Sequence, residues 1–261
     1  GMTLIIVAGG IDLSAGAVLA FAGLVGTMAM ERGLPIAAGI AAGAAAGAAW
    51  GLTNGLLVAR LGINPFIVTL GTLGMARGIT LIISDGLPVH RVPAGFGFLG
   101  GGALLGVPVA LWVVAVCALA MHAILERTRL GRYAFAIGSN PEAAWYAGVP
   151  VAFHTASVYT IGGLLAGLAG MLEASRLMTG QPTAGQGYEL QAIAAVVIGG
   201  GSLRGGAGSV AGTLVGAFIM GLLSNGSDLL GISPYLQQAL IGAVIILAVF
   251  ADELRKRAAG G

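Results

Sequence analysis

Eight apolar stretches follow one another along the chain, at about 4–30, 36–58, 65–83, 104–125, 152–178, 188–201, 208–230 and 235–251. Most approach the roughly 20 residues that carry an α-helix across the hydrocarbon core of a bilayer. In lipid only helices and closed barrels satisfy their own backbone hydrogen bonds. The few charges lie between the stretches: 8% of the 261 residues are charged, against about 25% in a soluble domain, and mean hydropathy is +0.96. A water-soluble enzyme does not fit these numbers. The expected fold is an all-α, polytopic transmembrane helix bundle, with residues 1–261 forming one transmembrane domain.

Two stretches stand apart. The first is interrupted by Gly9-Gly10-Ile11-Asp12, and the stretch 188–201 is short and runs into Gly199-Gly200-Gly201. Both read as discontinuous helices. Their freed amides and carbonyls require protein or a watery cavity around them, so both belong inside the bundle. Sliding the chain against itself lays Gly9-Gly10-Ile11-Asp12-Leu13-Ser14-Ala15-Gly16 over Gly199-Gly200-Gly201-Ser202-Leu203-Arg204-Gly205-Gly206, and Leu24-Val25-Gly26 over Leu214-Val215-Gly216. Thr53-Asn54-Gly55 and Ser224-Asn225-Gly226 recur in the same order. This is a two-half internal repeat, parallel or inverted, of the kind from which transporters are built.

Gly39, Gly43, Gly47, Gly51 and Gly55 recur every fourth residue and lie near one helix face. With no side chain to hold a neighbour away, that face packs closely; Gly163 with Gly167, and Gly208, Gly212 and Gly216, repeat the device. Basic residues give the orientation. Arg60, then Arg127, Arg129 and Arg132, then Arg204, and finally Arg255, Lys256 and Arg257 fall on one side, leaving Arg32 and Arg91 opposite. Lys and Arg accumulate in cytoplasmic loops, which puts the loop 126–151 and the C-terminus inside and the stretch 84–103 outside. The opening Gly1-Met2-Thr3-Leu4 lacks the basic region and cleavage site of a signal peptide, and reads as a start within a longer protein with a preceding span.

Chemistry has no visible seat. The only lysine is Lys256, so Gly199 to Gly206 is not a phosphate-binding P-loop, and the chain is not expected to hydrolyse ATP. Cys117 is alone, and His90, His122 and His154 are far apart, which leaves no local metal set. No catalytic residue, cofactor or metal is expected. A formal net charge of +2 without a basic, aromatic-interleaved run sets nucleic acid aside.

The informative loop runs from Arg127 to Gly148. Asn140-Pro141-Glu142-Ala143-Ala144-Trp145-Tyr146-Ala147-Gly148 encodes a short helix: Asn140 caps it, Pro141 suits its first position, Glu142 opposes the positive dipole end, and Gly148 takes the left-handed conformation that ends it. Its two alanines offer a low-profile face. On spacing alone it is either a docking peg for another protein or a surface turn between spans.

At this point the residues resemble a known family. Glu142-Ala143-Ala144 with Gly148 is similar to the EAA-x-x-x-G signature of importer permeases of the ATP-binding cassette class. Gly9-Gly10-Ile11-Asp12-Leu13-Ser14, Pro65-Phe66-Ile67-Val68-Thr69-Leu70-Gly71-Thr72, Thr128 with Gly131-Arg132, Ser175-Arg176, Gly187-Tyr188-Glu189-Leu190 and Ile193 to Gly200 resemble the sugar-transport branch, the ribose, xylose and galactose permeases. The likeness runs in order along the whole chain and departs from the pattern at Gln191, where an acidic residue is expected. It implies a permease domain over 1–261, a dimer in the bacterial inner membrane, driven by a cytoplasmic ATP-binding subunit and supplied by a periplasmic sugar-binding protein. The helix 140–148 would be the coupling helix, with Asn140, Glu142, Ala143, Ala144 and Gly148 as its docking residues. A branched-chain amino acid permease of the same superfamily, and a stand-alone secondary carrier or channel, are the alternatives.

Ionisable groups at membrane depth are costly and are functional suspects. Asp12, Arg77, Glu173, Arg176 and Glu189 qualify, and Asn54, Phe66 and Thr69 join them as translocation-path candidates from the repeated and matched segments. Each has a structural alternative: Asp12 bonding the freed amides of its break, Glu173 neutralising Arg176, Arg77 snorkelling to a headgroup.

Overall fold

The computed structural model describes residues 1–259, with side chains described through 250 except at Pro234, Ile245 and Ala248. Arg255, Lys256 and Arg257, part of the orientation argument, lie outside the described side chains. The described chain is almost wholly helical: α1 (Met2–Val7), α2 (Ala15–Glu31), α3 (Ile36–Leu61), α4 (Pro65–Ile83), α5 (Gly97–Gly101), α6 (Val109–Arg127), α7 (Arg129–Ser139), α8 (Pro141–Tyr146), α9 (Val151–Leu177), α10 (Tyr188–Ile198), α11 (Val210–Leu229) and α12 (Pro234–Ala259). Among the described residues, α3, α4, α6, α9 and α11 are long and apolar enough to span a membrane. The outward side chains of α6, among them Leu111, Val114, Val116 and Leu119, are exposed and apolar, as a lipid-facing helix requires.

The helix ends follow from local chemistry. Asn64 accepts a hydrogen bond from the Phe66 N–H at 2.9 Å and Pro65 occupies the first turn, so α4 starts there. Ser209 likewise accepts from the Gly212 N–H at 3.0 Å to open α11. The apolar stretch 104–125 is only partly helix. Its first residues form a two-stranded antiparallel hairpin, β1 (Ala103–Leu104) and β2 (Val107–Pro108), because Leu105 and Gly106 both turn with positive φ.

Two compact units emerge: one of Gly1, Asp12–Met121 and Pro150–Gln186, the other of Met2–Ile11, His122–Val149 and Gly187 onward. In the first, α3 packs on α9 and α2 through the glycine face read from the sequence. A Cβ added to Gly55 would stand 2.7 Å from Ala156 Cα, and one on Gly167 would stand 2.8 Å from the Gly43 carbonyl. On the α2 side, a Cβ on Gly39 would stand 2.9 Å from the Gly26 carbonyl. These backbones approach more closely than any side chain permits, which is the close-packing mode of helices in lipid. A segment outside the span helices is also pinned here. The Ser175 hydroxyl donates to the Phe96 carbonyl at 2.5 Å and accepts from the Gly100 N–H at 2.7 Å, and Val89 pairs with Gly180.

In the second unit α10 packs on α11 by the same device, a Cβ on Gly216 falling 2.8 Å from the Ala195 carbonyl carbon. Gly208, read as part of that helical stripe, lies in the turn before α11. Both discontinuities exist: α1 ends at Val7 before α2 begins at Ala15, and α10 ends at Ile198 before α11 begins at Val210. Their freed groups are satisfied by protein. Gly10 N–H bonds the Ile5 carbonyl at 2.9 Å, Gly206 N–H bonds the Val7 carbonyl at 2.9 Å, and Ser202 N–H bonds the Ala207 carbonyl at 3.0 Å. Two helices, α5 and α7, lie where the sequence reading has only connecting loop.

Candidate functional site

The loop between α6 and α9 is a pair of helices meeting at one residue. Thr128 closes α6 by donating to the Ile124 carbonyl at 2.6 Å, and its hydroxyl then faces the Gly131 N–H at 3.4 Å to start α7. Along α7, Gly131, Ala134 and Ile137 are buried, three residues apart, which gives it one inward face. Asn140 works in both directions. Its N–H donates to the Ala136 carbonyl at 3.0 Å, ending α7, while its side-chain oxygen accepts from the Ala143 N–H at 2.9 Å, opening α8.

The short helix α8 is therefore where the sequence puts it, with Pro141 and Glu142 in its first turn. Gly148 ends it with φ +80°, and the N–H groups of Gly148 and Val149 bond the carbonyls of Trp145 and Ala144 at 2.9 and 3.0 Å. The two alanines do not share a face. Ala144 and Val149 are buried and anchor the helix, whereas Glu142 and Ala143 are exposed. What covers the outward side instead is aromatic: Trp145 is 63% and Tyr146 80% exposed, their rings edge to face at 5.0 Å. Exposed Trp and Tyr beside a small residue and a carboxylate are the side chains from which protein interfaces draw most of their energy. Neither aromatic was singled out from the sequence, though two adjacent aromatics in a charged loop are a signal for it.

In the other unit, Asp12 lies in the first break, buried. One carboxylate oxygen accepts from the Ser14 N–H at 2.8 Å and from the Ser14 hydroxyl at 2.6 Å, and the Asn54 amide donates to that hydroxyl at 2.9 Å. Of the path candidates, Asp12 and Asn54 are thus brought together through Ser14. Asn54 is fully buried on α3, and its carbonyl oxygen accepts no hydrogen bond from the described residues. An unmatched buried acceptor costs about 1–3 kcal/mol, which sets Asn54 apart from the buried threonines Thr27, Thr69, Thr72 and Thr80, whose hydroxyls bond carbonyls of their own helices.

The remaining candidates are placed separately. Thr69 is buried and donates to the Pro65 carbonyl of its own helix at 2.9 Å, while Phe66, one turn earlier, is half exposed. Arg77 donates to the Pro182 carbonyl at 2.7 Å, so its charge is held by the loop before α10. Glu173 and Arg176 pair with each other at 3.2 Å near the end of α9. Glu189 belongs to the second unit and accepts from the Gly187 N–H at 3.3 Å, at the start of α10. Among the described residues no cluster of three or more metal-ligating side chains gathers.

A family profile described as branched-chain amino acid transport system / permease component matches residues 1–249. The chain is 44% identical over 260 residues to the ribose import permease protein of Escherichia coli strain K12, covering 98% of this chain and 81% of that protein. It is 44% identical over 261 residues to the ribose import permease protein of Bacillus subtilis strain 168, covering 99% and 80%. Over 250 residues it is 40% identical to the D-allose transport system permease protein of E. coli K12, covering 95% and 77%. No solved structure matches.

Proposed function

The chain belongs to the branched-chain amino acid transport system permease family, and from that membership we propose that it is the permease subunit of an ATP-driven importer, carrying a monosaccharide delivered by a periplasmic binding protein. It is a multi-pass protein of the bacterial inner membrane, and its residues 1–261 act as one permease domain. The observation that carries the reading is α8: a short helix capped at both ends, held by Ala144 and Val149, that leaves Glu142, Ala143, Trp145 and Tyr146 exposed. A loop that merely connected two spans would not expose two large aromatic rings at the tip of an ordered helix.

In this reading the loop 126–151 and the C-terminus are cytoplasmic and α8 is the coupling helix, received by a separate ATP-binding subunit. Asn140 and Gly148 hold its shape, Ala144 anchors it, and Glu142 with Ala143 and the two aromatics make the contact. Nucleotide-driven closure of a pair of ATP-binding subunits draws two coupling helices together, and so acts on two copies of this chain. The energy of hydrolysis enters as motion; this chain performs no bond chemistry. Asp12, Asn54, Phe66, Thr69, Arg77, Glu173, Arg176 and Glu189 remain path candidates. Of these the Asp12–Ser14–Asn54 group is favoured, since the Asn54 carbonyl oxygen could accept a hydroxyl. The paired Glu173 and Arg176, and Arg77 on its loop carbonyl, already have structural partners.

Sugar is favoured over amino acid by the relatives, two ribose permeases and one for allose. The family's own description supports branched-chain amino acids as the second reading. The test is uptake into proteoliposomes holding the chain, its ATP-binding subunit and its binding protein, with labelled aldoses and branched-chain amino acids. ATP-dependent uptake of an aldose is the expected result. Uptake of leucine or valine would select the second reading, and gradient-driven uptake by the chain alone would overturn both.

A further inference from the structure

Behind the coupling helix, at the last turn of α7, three backbones meet with no side chain between them. A Cβ on Gly138 would collide with the Val7 carbonyl and stand 2.6 Å from the Gly206 nitrogen and 3.0 Å from the Gly9 nitrogen. From the opposite side, a Cβ on Gly205 would stand 2.6 Å from the Gly138 carbonyl and 2.8 Å from Gly9 Cα. The Gly206 N–H closes the group with its hydrogen bond to Val7 at 2.9 Å. Val7 ends α1 and Gly9 lies in the break after it, Gly205 and Gly206 lie in the break after α10, and Gly138 sits two residues before the cap of α8. All of them lie within one compact unit.

We propose that Gly138 is a positioning residue for transport: with Val7, Gly9, Gly205 and Gly206 it forms a rigid joint that carries displacement of the coupling helix to both discontinuous helices at once. The inference rests on the importer reading. Its physical basis is that side chains absorb displacement by changing rotamer, whereas touching backbones have no such freedom, and packed interiors transmit strain. The joint also gives the repeated segments 9–16 and 199–206 a use beyond bending the chain. The first glycine of one segment, Gly9, and the last of the other, Gly206, supply the surfaces on which α7 rests.

The experiment compares Gly138→Ala and Gly138→Val with the unmodified chain, all reconstituted with the ATP-binding subunit and binding protein, reading bound ATP-binding subunit, ATP hydrolysis and uptake in the same preparation. Uptake is expected to fall about tenfold or more as the wedge forces the joint apart, with the ATP-binding subunit still bound and hydrolysis continuing, so that more ATP is used per sugar carried. Uptake unchanged in both variants would overturn the proposal. A second measurement does not depend on how the wedge is tolerated. In a Cys117→Ala background, Ser139→Cys with Gly206→Cys places two thiols at the joint, where a Cβ on Gly206 stands 3.2 Å from that of residue 139, near disulfide spacing. If the joint moves as one piece, the disulfide forms to the same extent with and without nucleotide, and oxidation leaves uptake at the level of the reduced variant. Uptake lost on oxidation and restored by reductant, or a disulfide that never forms, would overturn it. Should the unmodified chain retain no ATP-binding subunit, it is the importer reading that fails, and that result is distinct from the others.

Discussion

Replacing Gly51 with alanine adds one methyl group to the closest helix contact in the first unit. The new Cβ would press on the Tyr159 carbonyl oxygen, 2.9 Å from its carbon and 3.0 Å from Gly163 Cα, where carbon atoms rest at about 3.5–4.0 Å. No rotamer relieves this, because the opposing atoms are backbone, so α3 and α9 must part along a seam where Gly47 is nearly as tight. Overpacking of this kind costs about 1–3 kcal/mol. Gly71 on α4 supplies the control, since a Cβ there meets nothing within 4 Å; alanine is expected to be neutral or to stabilise by up to about 1 kcal/mol through helix propensity. The two alanine variants should therefore differ by about 1–4 kcal/mol. Unfolding in mixed micelles of increasing sodium dodecyl sulfate fraction, followed by circular dichroism, measures this. Fluorescence of Trp50, next to Gly51 on α3 and edge to face with Phe21 of α2 at 5.9 Å, reports on the adjoining α2–α3 contact. Equal midpoints for the two variants would refute the close-packing account.

Further predictions concern the loops and the site. Asn140→Ala removes the cap that opens α8 and should loosen it by about 1 kcal/mol, lowering recovery of the ATP-binding subunit in pull-downs, while Asn140→Asp keeps it. Gly148→Val forces a β-branched residue to φ +80° and should abolish uptake without preventing membrane insertion; normal uptake would remove α8 from the mechanism. Ser175→Ala strands the Gly100 N–H and the Phe96 carbonyl, so limited proteolysis should cut between residues 87 and 107 at lower protease than in the unmodified chain. Asn54→Leu removes the unmatched oxygen and should leave the chain folded but slow uptake, whereas unchanged uptake would take Asn54 off the path.

Much of this was legible because it depends on neighbours in sequence. Asn140, Pro141 and Gly148 act on backbone groups within a few residues, so their spacing alone defined α8. The glycine faces of α3 and α9, and the breaks at Gly9 and Gly199, are equally local: missing side chains mark a close approach whatever approaches. What the sequence concealed depends on partners far along the chain. Nothing near Arg77 in the sequence points to the Pro182 carbonyl. Nor does Asn54 announce the Ser14 hydroxyl. In a helix as short as α8, periodicity does not decide which of two adjacent alanines turns inward; the burial of Val149 beside it does. The helix α7 escaped notice because its arginines and glycines read as loop, while its inward face of Gly131, Ala134 and Ile137 is narrow. The hairpin at 103–108 was hidden inside an apolar run, where β and α residues look alike.

The central claim is that α8 joins this chain to a separate ATP-binding subunit. Its most direct test is purification from native membranes in mild detergent, comparing the unmodified chain with Trp145→Ala/Tyr146→Ala, and identifying what is retained. An ATP-binding subunit recovered with the unmodified chain, and lost or reduced about tenfold or more with the double variant, is the predicted result. Equal recovery with both would place the contact elsewhere, and an unmodified chain that emerges folded, alone and competent for gradient-driven uptake would contradict the account.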